Sequence, residues 1–229
     1  MVPVHSVSTE PFCIQRFPFP GLEGQPWPVV APDYGQLEAL RTLLPSLGRR
    51  LCDLTELMLA GAGPDNWRYP YHPTERDGEV CDPDDHNSSP MGTFPRCVSP
   101  FGVRDTLVKP TWGVFDEQMR RALKDRGGPP FLPSLTQVEG FAPDADDFAL
   151  AGGAVRQTTF YASSNFGGHR HTRSAPATPD DDLRLCADPG ETSVSKEADY
   201  QRRVDRFRSS GLSYGAFLGP ASEPTGSKF

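Results

Sequence analysis

Three groups of residues have the types and spacing for chemistry. The first is His169-Arg170-His171, in the run NFGGHRHTR. Two histidines two apart share a face if the segment is a strand, and imidazoles suit iron and zinc. Neither has an obvious third ligand, although His72 and His86 are candidates. The plainer alternative is a basic surface loop in which Arg170 and Arg173 meet the acidic turn Asp180-Asp181-Asp182. The second group is the acidic run Asp77, Glu79, Asp82, Asp84 and Asp85, beside His86 and Asn87. Closely spaced oxygens can hold calcium, with Asp82 and Asp84 as the candidate ligands, but the DxDxDG order of a calcium loop is missing. A solvated acidic loop is the alternative. The third group is Cys13, Cys52, Cys81, Cys97 and Cys186, five cysteines with no CxxC among them. That spacing disfavours a zinc knuckle. The expectation is reduced core thiols, or one or two disulfides if the compartment is oxidising. No G-x-S-x-G, Walker loop, H-E-x-x-H or dinucleotide fingerprint occurs.

The elements that must position these groups are few. Phe12 and Ile14 fall on one face of a strand, which Pro18 and Pro20 end. Leu37, Leu40, Leu44 and Leu47 lie at spacings of three and four, which predicts a helix over 33–44 with Asp33 as its cap. Asp53 followed by Glu56 has capping-box spacing and opens a short helix over 53–60. Phe115, Met119 and Leu123 recur every four residues and predict a third helix over 115–126. The stretch 151–188 opens on Gly152-Gly153 and closes on Leu183-Arg184-Leu185-Cys186, with no helical period between. It reads as a strand, a long structured loop that would floor any pocket, and a last strand returning to the core. Beyond Pro189 the chain turns polar. Tyr200, Val204 and Phe207 predict an amphipathic helix over 195–209, followed by a frayed tail.

Composition bounds the rest. A chain of 229 residues can bury one sizeable core and is short for two. The 25 prolines and 22 glycines demand much irregular backbone, while 14 phenylalanines and 3 tryptophans supply core material. A net charge of -7 argues against a sequence-independent grip on nucleic acid. No stretch approaches the roughly 20 apolar residues of a membrane span. The opening MVPVHSVSTEPF lacks the charged and apolar regions of a signal peptide. The chain as written therefore reads as cytoplasmic, or as secreted or periplasmic if its N-terminus is truncated.

Several segments, in order, resemble one known family. GRRLCDLTELMLAGAG resembles "G-k-R-L-p-T-e-a-E-W-E-x-A-x-r-G". WRYPYHP resembles "YPYG", and SSPMGTFP resembles "x-P-V-G-s-f-P". SPFGVRD resembles "N-x-f-G-l-y-D-m", GGAV resembles "rGGSw", and DDLRLC resembles "x-x-x-G-F-R-C". The chain is similar to formylglycine-generating-enzyme domains, also called sulfatase-modifying-factor domains, over residues 2–188. Residues 189–229 form a polar extension outside the match. The resemblance implies an α/β fold of C-type-lectin-like kind, with a small twisted antiparallel sheet, two main helices and extensive irregular loops. The family's opening strand, "G-x-F-x-M-G", has no counterpart here.

The resemblance also implies which chemistry is altered. Oxidase members hold copper(I) with two cysteines after the "GGS" strand, as a soft ion requires. Those places match Gln157 and approximately Asn165. An amide cannot replace a thiolate at copper, so the oxidase activity is expected to be absent. In the calcium-bearing "GN-x-WEW" segment, Trp112 matches the first Trp, but Lys109, Pro110 and Gly113 stand where Gly, Asn and Glu would be. The leading expectation is a non-catalytic binding or scaffold module for a protein or small-molecule ligand, with no cofactor. The alternative is a non-haem iron oxidoreductase of the same wider family, with iron at His169 and His171.

Overall fold

The computed structural model describes residues 1–5, 10–26, 32–65, 67, 69, 71–72, 80–81, 90–105, 111–114, 116–117, 148–151 and 182–219. The described chain is a mixed α/β structure with a small antiparallel sheet and few helices. The antiparallel sheet has the spatial order β1 (Val2–Val4), β2 (Phe12–Ile14), β7 (Leu185–Ala187), β3 (Arg50–Leu51). A second sheet orders β5 (Phe148–Ala151), β4 (Thr111–Val114), β6 (Asp182–Leu183). In it β4 runs antiparallel to β5 and parallel to β6. The closing strand expected from DDLRLC is thus two strands, one in each sheet, with Arg184 between them.

Helix α1 spans Tyr34–Leu43. The Asp33 side chain accepts from the Gln36 N–H at 2.7 Å, and Gln36 accepts from the Asp33 N–H at 3.1 Å. That reciprocal bonding satisfies donors that the first turn would leave open. Leu37 and Leu40 are fully buried beneath it. A 3-10 turn over Leu44–Leu47 follows and stops at Gly48, whose φ is +65°. A Cβ there would lie 2.7 Å from the Glu191 carbonyl oxygen, so the turn has both a conformational and a steric need for glycine. Helix α2 spans Leu54–Ala62, and every one of its residues is buried. Asp53 and Glu56 form the capping box that their spacing implies. The helix expected over 115–126 lies outside the described residues apart from Asp116 and Glu117.

The amphipathic helix expected over 195–209 is α3, Val194–Ser209, capped by Ser193. A short α4, Tyr214–Leu218, follows it and was not anticipated. Their buried residues Tyr200, Val204, Phe207, Tyr214 and Phe217 share one apolar cluster with Phe19, Leu37, Leu40, Leu44, Trp112 and Leu183. Phe19 stacks on Tyr214 with centroids 5.4 Å apart, and presents edge contacts to Phe207 at 4.9 Å and Phe217 at 5.1 Å. Such aromatic geometry adds to plain area burial. A separate cluster joins β1 and β2 to α2 through Val4, Phe12, Ile14, Leu57 and Met58.

The expectation of reduced cysteines gives way to two disulfides. Cys52 bonds Cys186 with 4.9 Å between Cα atoms, and Cys81 bonds Cys97 with 5.0 Å. β3 and β7 are neighbours with Arg50 opposite Cys186, and Cys52, just past the end of β3, reaches Cys186 diagonally across a separation of 134 residues. Cys13 keeps a free thiol.

Candidate functional site

Three polar constellations organise the described interior. Gln15 is 4 % exposed and sits where β2, β7 and α3 meet. Its Oε1 accepts from the Leu185 N–H at 3.0 Å, and its Nε2 donates to the Tyr200 hydroxyl at 2.6 Å. The Tyr200 hydroxyl donates onward to the Pro20 carbonyl at 3.1 Å. Burial raises the Tyr200 pKa well above the ordinary phenol value, so it stays a neutral donor. Arg49 lies 4.9 Å above the Tyr200 ring and donates to Glu197 at 2.5 Å. The first constellation therefore fastens α3 to the sheet.

Arg184 is 1 % exposed and has four carbonyls around its guanidinium. It donates to Gln15 and Arg16 at 3.2 Å each, to Arg104 at 2.5 Å and to Asp105 at 2.9 Å. Burial lowers its pKa, opposed by the charges of Asp182 and Asp105. A planar fork with five donors can gather carbonyls from two separate loops, as an ammonium on a single stem cannot. Asp105 sits at a φ of +51° and accepts from the Gly92 N–H at 2.7 Å. Arg184 thus ties Arg104 and Asp105 to Gln15 and Arg16, the residues that follow β2.

The third constellation surrounds the Cys52–Cys186 disulfide. Arg50 donates to both oxygens of Glu56 at 2.6 Å each, and to Asp188 at 2.8 Å. Glu56 also accepts from the Asp53 N–H at 2.9 Å, and Asp116 accepts from the Thr55 N–H at 3.0 Å. Burial, then the nearby charge of Glu56, pushes the Asp53 carboxyl up to about 7. Ligand atoms of Cys52, Glu56 and Cys186 lie within 4.8 Å of one another. The two sulfurs are bonded to each other and both Glu56 oxygens are held by an arginine. The trio is therefore closed to a cation in this state.

The residues singled out for chemistry distribute unevenly. Gln157, Asn165, His169, His171, Asp82, Asp84 and His86 lie outside the described residues, as do Arg170 and Arg173. His72 is half-buried and its backbone exchanges hydrogen bonds with Tyr69 at 3.0 and 3.2 Å. Asp182 is buried and accepts from the Leu183 N–H at 2.6 Å, which is a structural use of that carboxylate. Trp112 is buried on β4. A Cβ on its neighbour Gly113 would lie 2.8 Å from side-chain carbons of both Leu54 and Leu57. A glutamate at that place would displace α2, so Gly113 and this helix position belong together. Sequence reasoning missed Gln15, Arg49, Arg50 and Arg184. The RR pair before Leu51 and the charged residue inside LRL were the available signals, because charge flanked by core positions implies a buried partner.

Comparison of the chain with protein-family models, with curated proteins and with solved structures returns no match.

Proposed function

We propose that residues 2–188 form a divergent formylglycine-generating-enzyme-like domain with a C-type-lectin-like frame, acting as a non-catalytic binding or scaffold module. The observation that carries the reading is the state of the cysteines. Four of the five are paired in disulfides, which leaves Cys13 as the sole thiol. One thiol cannot supply the two soft sulfur ligands that a copper(I) oxidase of this family would need. Two of the segments that carry the resemblance also meet in space. GRRLC contains β3, DDLRLC runs into β7, and the two strands are hydrogen-bonded neighbours. FCI on β2 flanks β7 from the other side. The ligand would be a protein or small molecule held by loops over this rigid sheet. Two disulfides favour an oxidising compartment, hence the secreted or periplasmic alternative over the cytoplasmic one.

The test is copper(I) titration of the purified chain against a competing chelator, with a cysteine-containing peptide present under oxygen. The chelator is expected to keep the metal and the peptide to remain unoxidised. Stoichiometric copper(I) retention together with conversion of the peptide cysteine to formylglycine would overturn the proposal.

A further inference from the structure

Outside the region of resemblance, α3 presents an arginine pair in an open groove of about 620 Å³. One wall is Ser46 and Leu47 of the 3-10 turn; the other is the α3 face carrying Arg203 and Arg206. Arg203 is anchored: one guanidinium nitrogen donates to the carbonyls of Phe217 and Leu218 at 2.8 and 2.7 Å, closing the C-terminal end of α4. Its other donors are left for something else. Arg206 is exposed, and among the described residues its guanidinium has neither a hydrogen-bond nor an ion-pair partner. The two guanidinium groups converge on Gly219. A Cβ there would lie 3.4 Å from an Arg206 nitrogen and 3.5 Å from an Arg203 nitrogen. Gly219 has a φ of +72°, which favours glycine, whereas a Cβ at those distances would make only ordinary contacts. Burial, and after it the charge of Arg206, lower the Arg203 pKa.

We propose that this groove binds a small ligand bearing a phosphate or sulfate ester, with the oxyanion seated between Arg203 and Arg206. An anion between the two cations removes their repulsion, and the arginine fork matches a tetrahedral oxyanion with two parallel bonds. Arg203 is already held, so little side-chain freedom is lost on binding. The nearby carboxylates do not fill the site. Asp199 pairs with Arg202, and Asp205 accepts from Gln201 at 3.1 Å. Both line the groove, where they would accept from hydroxyl groups next to the ester. The volume suits a small organic ester better than a free ion alone.

The test is titration calorimetry on the full chain at low ionic strength, with inorganic phosphate, sulfate, glycerol 3-phosphate and glycerol as probes. Glycerol 3-phosphate is expected to bind saturably and more tightly than either inorganic ion, and glycerol not at all. Arg206→Gln should weaken that binding roughly tenfold or more, with an unchanged melting temperature because Arg206 is exposed and its guanidinium bonds no described residue. Arg16→Gln, an exposed arginine on another element and outside the groove lining, should bind as the wild type does. No saturable binding of glycerol 3-phosphate would sink the proposal. Equal losses in the Arg206 and Arg16 variants would do so too, since they would indicate diffuse charge attraction. Equal affinity for phosphate and its glycerol ester would reduce the site to a plain anion site and reject the ester.

Discussion

Asp53 shows how one residue can serve the fold and strain it. It caps α2, yet it lies in a pocket with Glu56, Asp116 and Asp188 nearby and only Arg50 opposing them. Its folded carboxyl keeps a proton to about pH 7, against an ordinary value of 3.8. Between those values the folded state binds more protons than the unfolded one, so stability falls as pH rises through that window. Asp53→Asn keeps a good cap without the charge. The variant is expected to be more stable than the wild type at pH 8 by about 1–2 kcal/mol, after allowance for solvent screening. It should lose the advantage near pH 4, as read by urea denaturation at the two pH values. Arg184 is the opposite case, a buried cation whose two terminal nitrogens are bonded to four carbonyls while its Nε has no partner among the described residues. Arg184→Met leaves the carbonyls of Gln15, Arg104 and Asp105 without this donor, while the Arg16 carbonyl keeps the Arg104 N–H. At about 1 kcal/mol or more for each orphaned group, a loss of about 3 kcal/mol or more is expected in the same denaturation measurement.

At the scale of elements, the two disulfides should contribute unequally. Cys52–Cys186 closes a loop of 134 residues and Cys81–Cys97 one of 16. Loop-closure entropy assigns about 5 kcal/mol to the first and about 3 kcal/mol to the second. The Cys52→Ala/Cys186→Ala chain is therefore expected to unfold at lower urea than the Cys81→Ala/Cys97→Ala chain. Alkylation of the unfolded, unreduced wild type should modify a single thiol, Cys13, by intact mass. Three or more modified thiols would contradict the pairing and weaken the functional proposal with it. Both sheets are short-stranded, with β3 in one and β6 in the other of two residues each. Covalent closure and the Arg184 bonds therefore supply much of what ladder hydrogen bonds provide in longer strands.

For the whole molecule, the C-terminal segment decides whether the core closes. Tyr200, Val204, Phe207, Tyr214 and Phe217 are all 5 % exposed or less. At about 1.5–3 kcal/mol for each buried side chain, removing them forfeits about 10 kcal/mol, comparable with the whole stability of a domain. A chain ending at Ser193 is expected to lose its cooperative melt and to bind a hydrophobic dye, because Phe19, Leu37, Leu40 and Leu44 would face water. Retention of a sharp melt near the wild-type temperature would show that 194–218 is an accessory. The polarity of the segment concealed this role. Its helix carries charge on most faces and places only one narrow stripe inward, at Tyr200, Val204 and Phe207.

The sequence by itself determined the local elements. The leucine spacing, the Asp33 and Asp53 caps and the Phe12–Ile14 alternation each act within about one turn or strand, where neighbours along the chain are neighbours in space. Tertiary structure alone decided which cysteines pair, that DLRLC divides between two sheets, and that Arg184, Gln15 and Tyr200 are bonded hubs. It also decided that Arg203 and Arg206 meet at Gly219. These depend on contacts between residues far apart in the chain, such as Gln15 with Tyr200 across 185 positions. Periodicity carries no information about such contacts, because it records which side of an element is buried and not what lies opposite.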